Sequence, residues 1–353
     1  MSTDSAINEA IELLKKLIST PRTSRNEHEA AGVVQDNMTA HGYTAERIGD
    51  NILCRSRYFE ASRPALLLNS HIDTVKPVSS WTKDPFCPLV QDGRLYGLGS
   101  NDAGASLVSL LYTFYLIDAL PNDLNMIFLA TCQEEVSGEG GMKTMVGLLP
   151  DISLAIVGEP TDMKPAIAEK GLMVLDISVQ GKSGHAARNE GINAIYRAME
   201  VVGLLKDYKF GKVSPVLGPV KMTVTVINAG TTHNVIPDLC NLTVDIRSNE
   251  HYSNRQIFDM IRGMLPEWCT VKARSFNLNS SHIDSCHPLI QRAAAMGLEP
   301  FGSPTLSDQA LLDCPSFKIG PGSSSRSHSA DEYIMLSEIG NAVRTYKSLL
   351  DPQ

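Results

Sequence analysis

Several short stretches of this chain deliver residues able to hold a cation or move a proton, each directly after an apolar run or a glycine-rich turn. Ala65-Leu66-Leu67-Leu68-Asn69-Ser70 ends in His71-Ile72-Asp73, and the run from Asn125 to Cys132 leads into Glu134-Glu135. Leu154-Ala155-Ile156-Val157-Gly158 ends in Glu159, and Gly97-Leu98-Gly99-Ser100-Asn101 ends in Asp102. His328 lies in the turn-rich segment between Gly320 and Tyr333. Taken singly, each has an ordinary reading. His71 and Asp73 could be a satisfied core pair, Glu134-Glu135 a solvated acidic turn, Asp102 a helix N-cap and His328 an idle loop residue. Together they suggest a metal site, because two histidines and three carboxylates suit a borderline divalent ion such as zinc. Residues i and i+2 of a strand share a face, so Asp73 could orient a ligating His71. Of two adjacent carboxylates beside a cation, one can ligate while the other stays free to carry a proton.

The elements that must position these groups follow from the pattern. The apolar runs read as buried strands, and open α/β sheets bind ligands beyond the carboxyl ends of their strands. Helices are expected over residues 4–18, 26–41 and 106–120, with strands near 47–55, 64–70, 125–132 and 154–158. This alternation predicts an α/β fold with a mixed, mostly parallel sheet flanked by helices. From about residue 171 the order becomes strand (172–180), helix (193–208), strand (221–229), strand (241–248), helix (254–265) and strand (270–276). That βαββαβ series is ferredoxin-like. Helix and strand patterns of the first type return after residue 279. The reading is therefore a discontinuous catalytic domain, 1–170 and 280–353, interrupted by a small inserted domain, 171–279.

Bulk properties exclude some partners. The chain has 353 residues and a net charge of -8, which argues against nucleic acid or an anionic membrane as the main partner. No apolar stretch reaches the ~20 residues that span a bilayer. The seven cysteines form no CxxC pair and read as reduced thiols. The first helix carries charges and does not look like a signal peptide, so a cytoplasmic protein is expected.

The motifs resemble those of a family of metal-dependent amidohydrolases and peptidases. It includes acetylornithine deacetylase, succinyl-diaminopimelate desuccinylase, aminoacylase and glutamate carboxypeptidase. The resemblance covers nearly the whole chain. It rests on His71-Ile72-Asp73-Thr74-Val75, Gly97-Leu98-Gly99-Ser100-Asn101-Asp102, Glu134-Glu135, Val157-Gly158-Glu159-Pro160-Thr161, Gly181-Lys182-Ser183-Gly184-His185-Ala186 and Ser327-His328-Ser329-Ala330-Asp331-Glu332. One departure is Ala103-Gly104-Ala105 after Asp102, where relatives commonly carry Met-Lys-Gly.

The resemblance implies a role for each residue. Asp102 would bridge two divalent ions, zinc first and cobalt as the alternative. His71 and Glu159 would complete one site, and Glu135 and His328 the other. Asp73 would orient His71, Glu134 would be the general base, and the Asp102–Ala103 peptide would be cis. The insertion would be a lid through which two copies pair. His185 on it would reach the oxyanion, from its own or the partner chain. Arg247 and Asn234 match positions that hold substrate, and arginine is the natural two-pronged partner of a carboxylate. Arg326, two residues before His328, is a further candidate to face the pocket. The expected activity is removal of an N-acyl group from an amino acid, most like acetylornithine deacetylase in arginine biosynthesis. Desuccinylase, acylcitrulline deacylase and dipeptidase activities are the alternatives within this chemistry. A catalytically inactive binding protein is the alternative outside it.

Overall fold

The computed structural model describes residues 1–120, 124–188 and 190–351. It separates into two compact units: Met1–Ile167 with Ile283–Phe301 and Ser307–Gln353, and Ala168–His282 with Gly302–Leu306.

The first unit is built on a mixed sheet. At its centre Met126–Thr131, Ala65–His71, Ile152–Val157 and Ser316–Lys318 lie side by side and parallel. Their sequences are continuous apolar runs because both faces are covered: every residue of Ala65–His71 and Met126–Thr131 is buried. One flank is an antiparallel hairpin, Ala45–Ile48 with Asn51–Arg55, and on the other Ala166 pairs antiparallel with Lys318. Helix Ala105–Asp118 is buried on all sides, in keeping with apolar residues spread around its whole circumference. It packs between the sheet and helices Thr3–Ile18 and Leu336–Leu350, which are amphipathic and bury one face each. A small antiparallel sheet, Leu89–Gln91, Arg94–Tyr96 and Tyr333–Met335, was not legible from sequence because its strands have only three residues each.

In the second unit four antiparallel strands lie in the order Lys221–Ala229, Leu239–Arg247, Met173–Gln180 and Cys269–Ala273. Strict alternation in Met173–Gln180 buries Met173, Leu175, Ile177 and Val179 on one face. Helices Ala194–Asp207 and Asn254–Met264 share that face's core. Ser253 caps the second helix in a reciprocal box with Gln256, satisfying two otherwise orphaned N–H groups. Among the described residues no helix is long and apolar enough to cross a membrane.

Candidate metal centre

Parallel pairing sets the site. His71 is the last residue of its strand and sits opposite Thr131, while Asn69 sits opposite Val157. The chain leaving Thr131 reaches Glu134-Glu135, and the chain leaving Val157 reaches Glu159. All emerge from the carboxyl edge of one sheet, where open α/β folds place their ligands.

Asp102 lies between the two histidines. Its Oδ1 is 3.4 Å from His71 Nε2, and its Oδ2 is 3.7 Å from His328 Nε2. His71 Nε2 is 3.9 Å from Glu159, and His328 Nε2 is 2.9 Å from Glu135. Donor atoms of His71, Glu134 and Glu159 converge within 4.8 Å of one another, as do those of His71, Asp102 and Glu135. The Asp102–Ala103 peptide is cis. Asp102 does not cap the helix that follows; that position belongs to Gly104.

Electrostatics follow from burial and crowding. Burial pushes Glu134 well above its ordinary 4.5; His71 opposes this, while Glu159, Asp308 and Glu135 add to it. Burial lifts Glu159 to about 8, again against His71 and with Asp102 adding. Burial disfavours the imidazolium of His71, yet hydrogen bonds with Asp102 and Asp73 hold it well above 6.5. For Asp102 burial opposes ionisation, but the His71 hydrogen bond and charge keep it below 3.8. The Glu135 hydrogen bond raises His328 to about 9. Carboxylates raised by burial and by each other form a donor set short of positive charge. With imidazole nitrogens among them, these residues fit divalent ions of the zinc type.

Two buried carboxylates organise the backbone around this cluster. His71 Nδ1 lies 2.9 Å from the Asp73 carbonyl oxygen and 3.5 Å from its carboxylate. That carboxylate also accepts the N–H groups of Glu134 and Glu135, at 3.0 and 3.2 Å, and the Ser24 hydroxyl at 2.7 Å. Glu332 accepts the N–H groups of Gly99, Asn101 and Asp102, at 2.8, 2.8 and 2.9 Å. Sequence reading left Glu332 without a role although it stands in the His328 motif. It also passed over Asp308, which accepts the Thr131 hydroxyl at 2.5 Å and is pushed up to about 6 by burial. No local pattern marks either residue, since their partners lie far along the chain.

The remaining candidates belong to other elements. In the second unit, the short strand Gly184–His185 pairs with Val235–Ile236, and the Asn234 carbonyl accepts the Ala186 N–H. His185 and Asn234 are therefore neighbours, both exposed. Arg247 ends strand Leu239–Arg247, at the opposite end from Asn234, and its guanidinium is held by Asp245 at 2.9 and 3.2 Å. Eight strand steps separate Leu239 from Arg247, about 26 Å at ~3.3 Å per residue. Arg326 proves to be engaged structurally: it grips Glu338 through both terminal nitrogens, at 2.7 and 3.1 Å, and covers the Tyr333 ring. All seven cysteines are free thiols.

Residues 67–351 match the peptidase family M20/M25/M40. The chain belongs to this family. Among curated M20 relatives, acetylornithine deacetylase of Shigella sonnei is 28% identical over 92% of both chains. Succinyl-diaminopimelate desuccinylase of a Wolbachia endosymbiont of Culex pipiens is 26% identical over 76% of this chain and 71% of its own length. Among solved structures, a tripeptidase from Staphylococcus aureus superposes with a TM-score of 0.75 at 20% identity, over 98% of this chain and 97% of its own. A dinuclear metal-binding M20 peptidase from Bacillus subtilis gives 0.75 at 16% identity, covering 98% of each. M20 membership makes the chain a hydrolase of the metal-dependent amidohydrolase and peptidase type, and the fold class is that of the family.

Proposed function

We propose that this M20 protein is a two-metal amidohydrolase that removes the acyl group from an N-acyl amino acid, with an acetylated substrate of the acetylornithine type as first choice and a succinylated one as second. The observation that carries the reading is the placement of one carboxylate, Asp102, with its two oxygens turned toward two different histidines. His71 and Glu159 would complete one ion's ligand set, and Glu135 and His328 the other. The dinuclear relative and the deacetylase and desuccinylase relatives support the same direction.

Bound there, divalent ions would supply an acidified water and a polarised carbonyl. The chain's own groups would do the rest. Glu134 is suited to proton transfer because burial and the charges around it, not a hydrogen bond, dominate its carboxyl. It takes a proton from the attacking water as the C–O bond forms, then returns it to the departing amine as the C–N bond breaks. In His185, Nδ1 accepts the Ala187 N–H at 3.1 Å. The ring proton therefore sits on Nε2, free to donate to the oxyanion. Arg247 would bind the substrate's α-carboxylate once released from Asp245, and Asn234 would assist near the scissile amide.

The spacing within the second unit supports a homodimer. A substrate of two peptide-like units spans only ~7 Å, whereas Arg247 stands at the far end of a strand of about 26 Å that begins on the Asn234 side. Contacts from two copies would remove the conflict. Strand Lys221–Ala229 is an unpaired sheet edge with Val226 and Ile227 exposed, and Tyr196, Met199 and Leu204 are exposed on the neighbouring helix. An apolar edge of this kind invites pairing. The test is metal content together with hydrolysis of a panel in which acyl group and amino acid vary independently. Two divalent ions per chain and a preference for N-acyl amino acids are expected. Full activity with at most one ion, or a preference for tripeptides, would overturn the reading.

A further inference from the structure

Arg22 follows helix Thr3–Ile18, within the field of the Glu332 and Asp73 carboxylates, and is only 2% exposed. A guanidinium is among the groups least often buried so completely. Its Nη2 donates to the Gly99 carbonyl at 2.9 Å, while Nε and Nη1 have no hydrogen-bond partner among the described residues. A buried charge with two idle donors contributes poorly to stability, which calls for another reason to keep it.

That reason lies in the turn it holds. Gly99 and Asp102 belong to the segment that brings one carboxylate between His71 and His328. Glu332 takes three N–H groups of this segment, and Arg22 donates to the Gly99 carbonyl, which also accepts the Gly104 N–H at 3.1 Å. The fit is close on the Arg22 side. Gly99 has φ 72°, and a Cβ there would meet Thr74 Cγ2 at 2.4 Å and Arg22 Nη2 at 2.5 Å. A Cβ on Gly104 would meet the Gly99 carbonyl at 2.3 Å and Arg22 Nη2 at 2.9 Å. The backbone around Arg22 reaches the other ligand segment: its carbonyl accepts the Thr74 N–H at 3.0 Å, and the Ser24 hydroxyl donates to Asp73 at 2.7 Å.

We propose that Arg22 is a positioning residue that fixes the Gly99–Asp102 turn, and with it the Asp102 carboxylate, in the geometry that retains metal. The inference rests on the metal-centre reading above. Arg22 acts through the Gly99 carbonyl and would not touch substrate. Arg22→Met fills the same space without the donor, and Arg22→Lys keeps one cationic donor of similar reach.

The experiment is Zn²⁺ retention by the whole protein against a competing chelator, with the thermal midpoint of the metal-free protein measured alongside. Arg22→Met is expected to fold, to keep its metal-free midpoint within about 3 °C and to hold Zn²⁺ at least tenfold more weakly. Its turnover, low at stoichiometric Zn²⁺, should recover in excess Zn²⁺ with KM unchanged. Arg22→Lys should stay within about threefold of wild type in Zn²⁺ retention, given the single hydrogen bond it must replace. Wild-type retention by Arg22→Met overturns the proposal. So does a failure of that variant to fold, or a metal-free midpoint that falls in step with affinity, since each marks Arg22 as merely structural. If the wild type itself retains no Zn²⁺ or other divalent ion, the metal-centre reading fails instead, and the two failures are distinct.

Discussion

Stripping metal from the protein should leave its stability falling as pH rises from about 5 to 8.5, the reverse of ordinary acid denaturation. Glu159 is displaced upward from 4.5 to about 8 by burial, so between those values the folded state holds a proton that the unfolded state has released. The folded state then binds more protons than the unfolded one, and stability declines with pH. His328 has the same sign. It is raised from 6.5 to about 9, so its contribution is full below 6.5 and lost through 9. Asp73 and Asp102, held below their ordinary values, titrate beneath this window. The difference between 4.5 and about 8 is worth at most ~5 kcal/mol at ~1.4 kcal/mol per pH unit. The His328 side chain is 55% exposed, so water screens its ion pair with Glu135 and its addition is small. For 353 residues unfolding together at ~2.1 cal/mol/K per residue, Glu159 alone corresponds to a midpoint drop of ~7 °C, and Glu134, Asp308 and Glu332, also raised by burial, add in the same direction. Thermal melts in chelator at pH 5, 6, 7, 8 and 8.5 measure it, with matched melts in excess Zn²⁺. Because a metal must displace those protons, its stabilisation should grow with pH across the window. A metal-free midpoint that stays level or climbs from pH 5 to 8.5 would refute the reasoning.

Three further outcomes test the roles of individual groups. Glu134→Gln should keep its metal but lose ~10²–10⁴-fold in kcat, whereas Glu135→Ala should lose metal first; metal analysis and turnover on the same samples separate the two, and near-normal kcat in Glu134→Gln removes it from the mechanism. Arg247→Lys should lower kcat/KM for N-acyl amino acids and abolish discrimination between the free acid and its α-amide, because one ammonium does not replace a two-pronged contact; a wild type that hydrolyses the amide equally well excludes that contact. Mixing His185→Ala with Glu134→Ala chains should restore part of the activity if His185 serves the neighbouring copy, and proven heterodimers without recovery would place its action in cis.

What the sequence made legible is what depends on period and on strand ends. The runs at 65–68, 126–130 and 154–157 are apolar and buried because both faces of the sheet are covered, and their ends located His71, Glu134-Glu135 and Glu159. The bond from Glu332 to the Asp102 turn spans about 230 residues, and no local pattern records such a contact. Arg326 illustrates a different gap: its planar fork holds Glu338 on the following helix, a pairing that its place two residues before His328 does not announce. The length of Leu239–Arg247 was legible in its alternation, and nine extended residues keep the two ends of that strand about 26 Å apart.

The arrangement also explains why so many carboxylates gather in one place without all being ligands. Asp73 and Glu332 spend their oxygens on backbone N–H groups, which come from the segments carrying Glu134-Glu135 and Asp102 respectively. Charge-assisted bonds of this kind are roughly twice as strong as neutral ones, so each buried carboxylate fixes a segment that has only a single short helical turn of its own. Asp102, Glu134 and Glu135 are carried by these same segments. With the N–H groups taken by Asp73 and Glu332, the Asp102 and Glu135 carboxylates face His71 and His328 instead. Two carboxylates that never need to touch a cation thus create the demand for one in their neighbours.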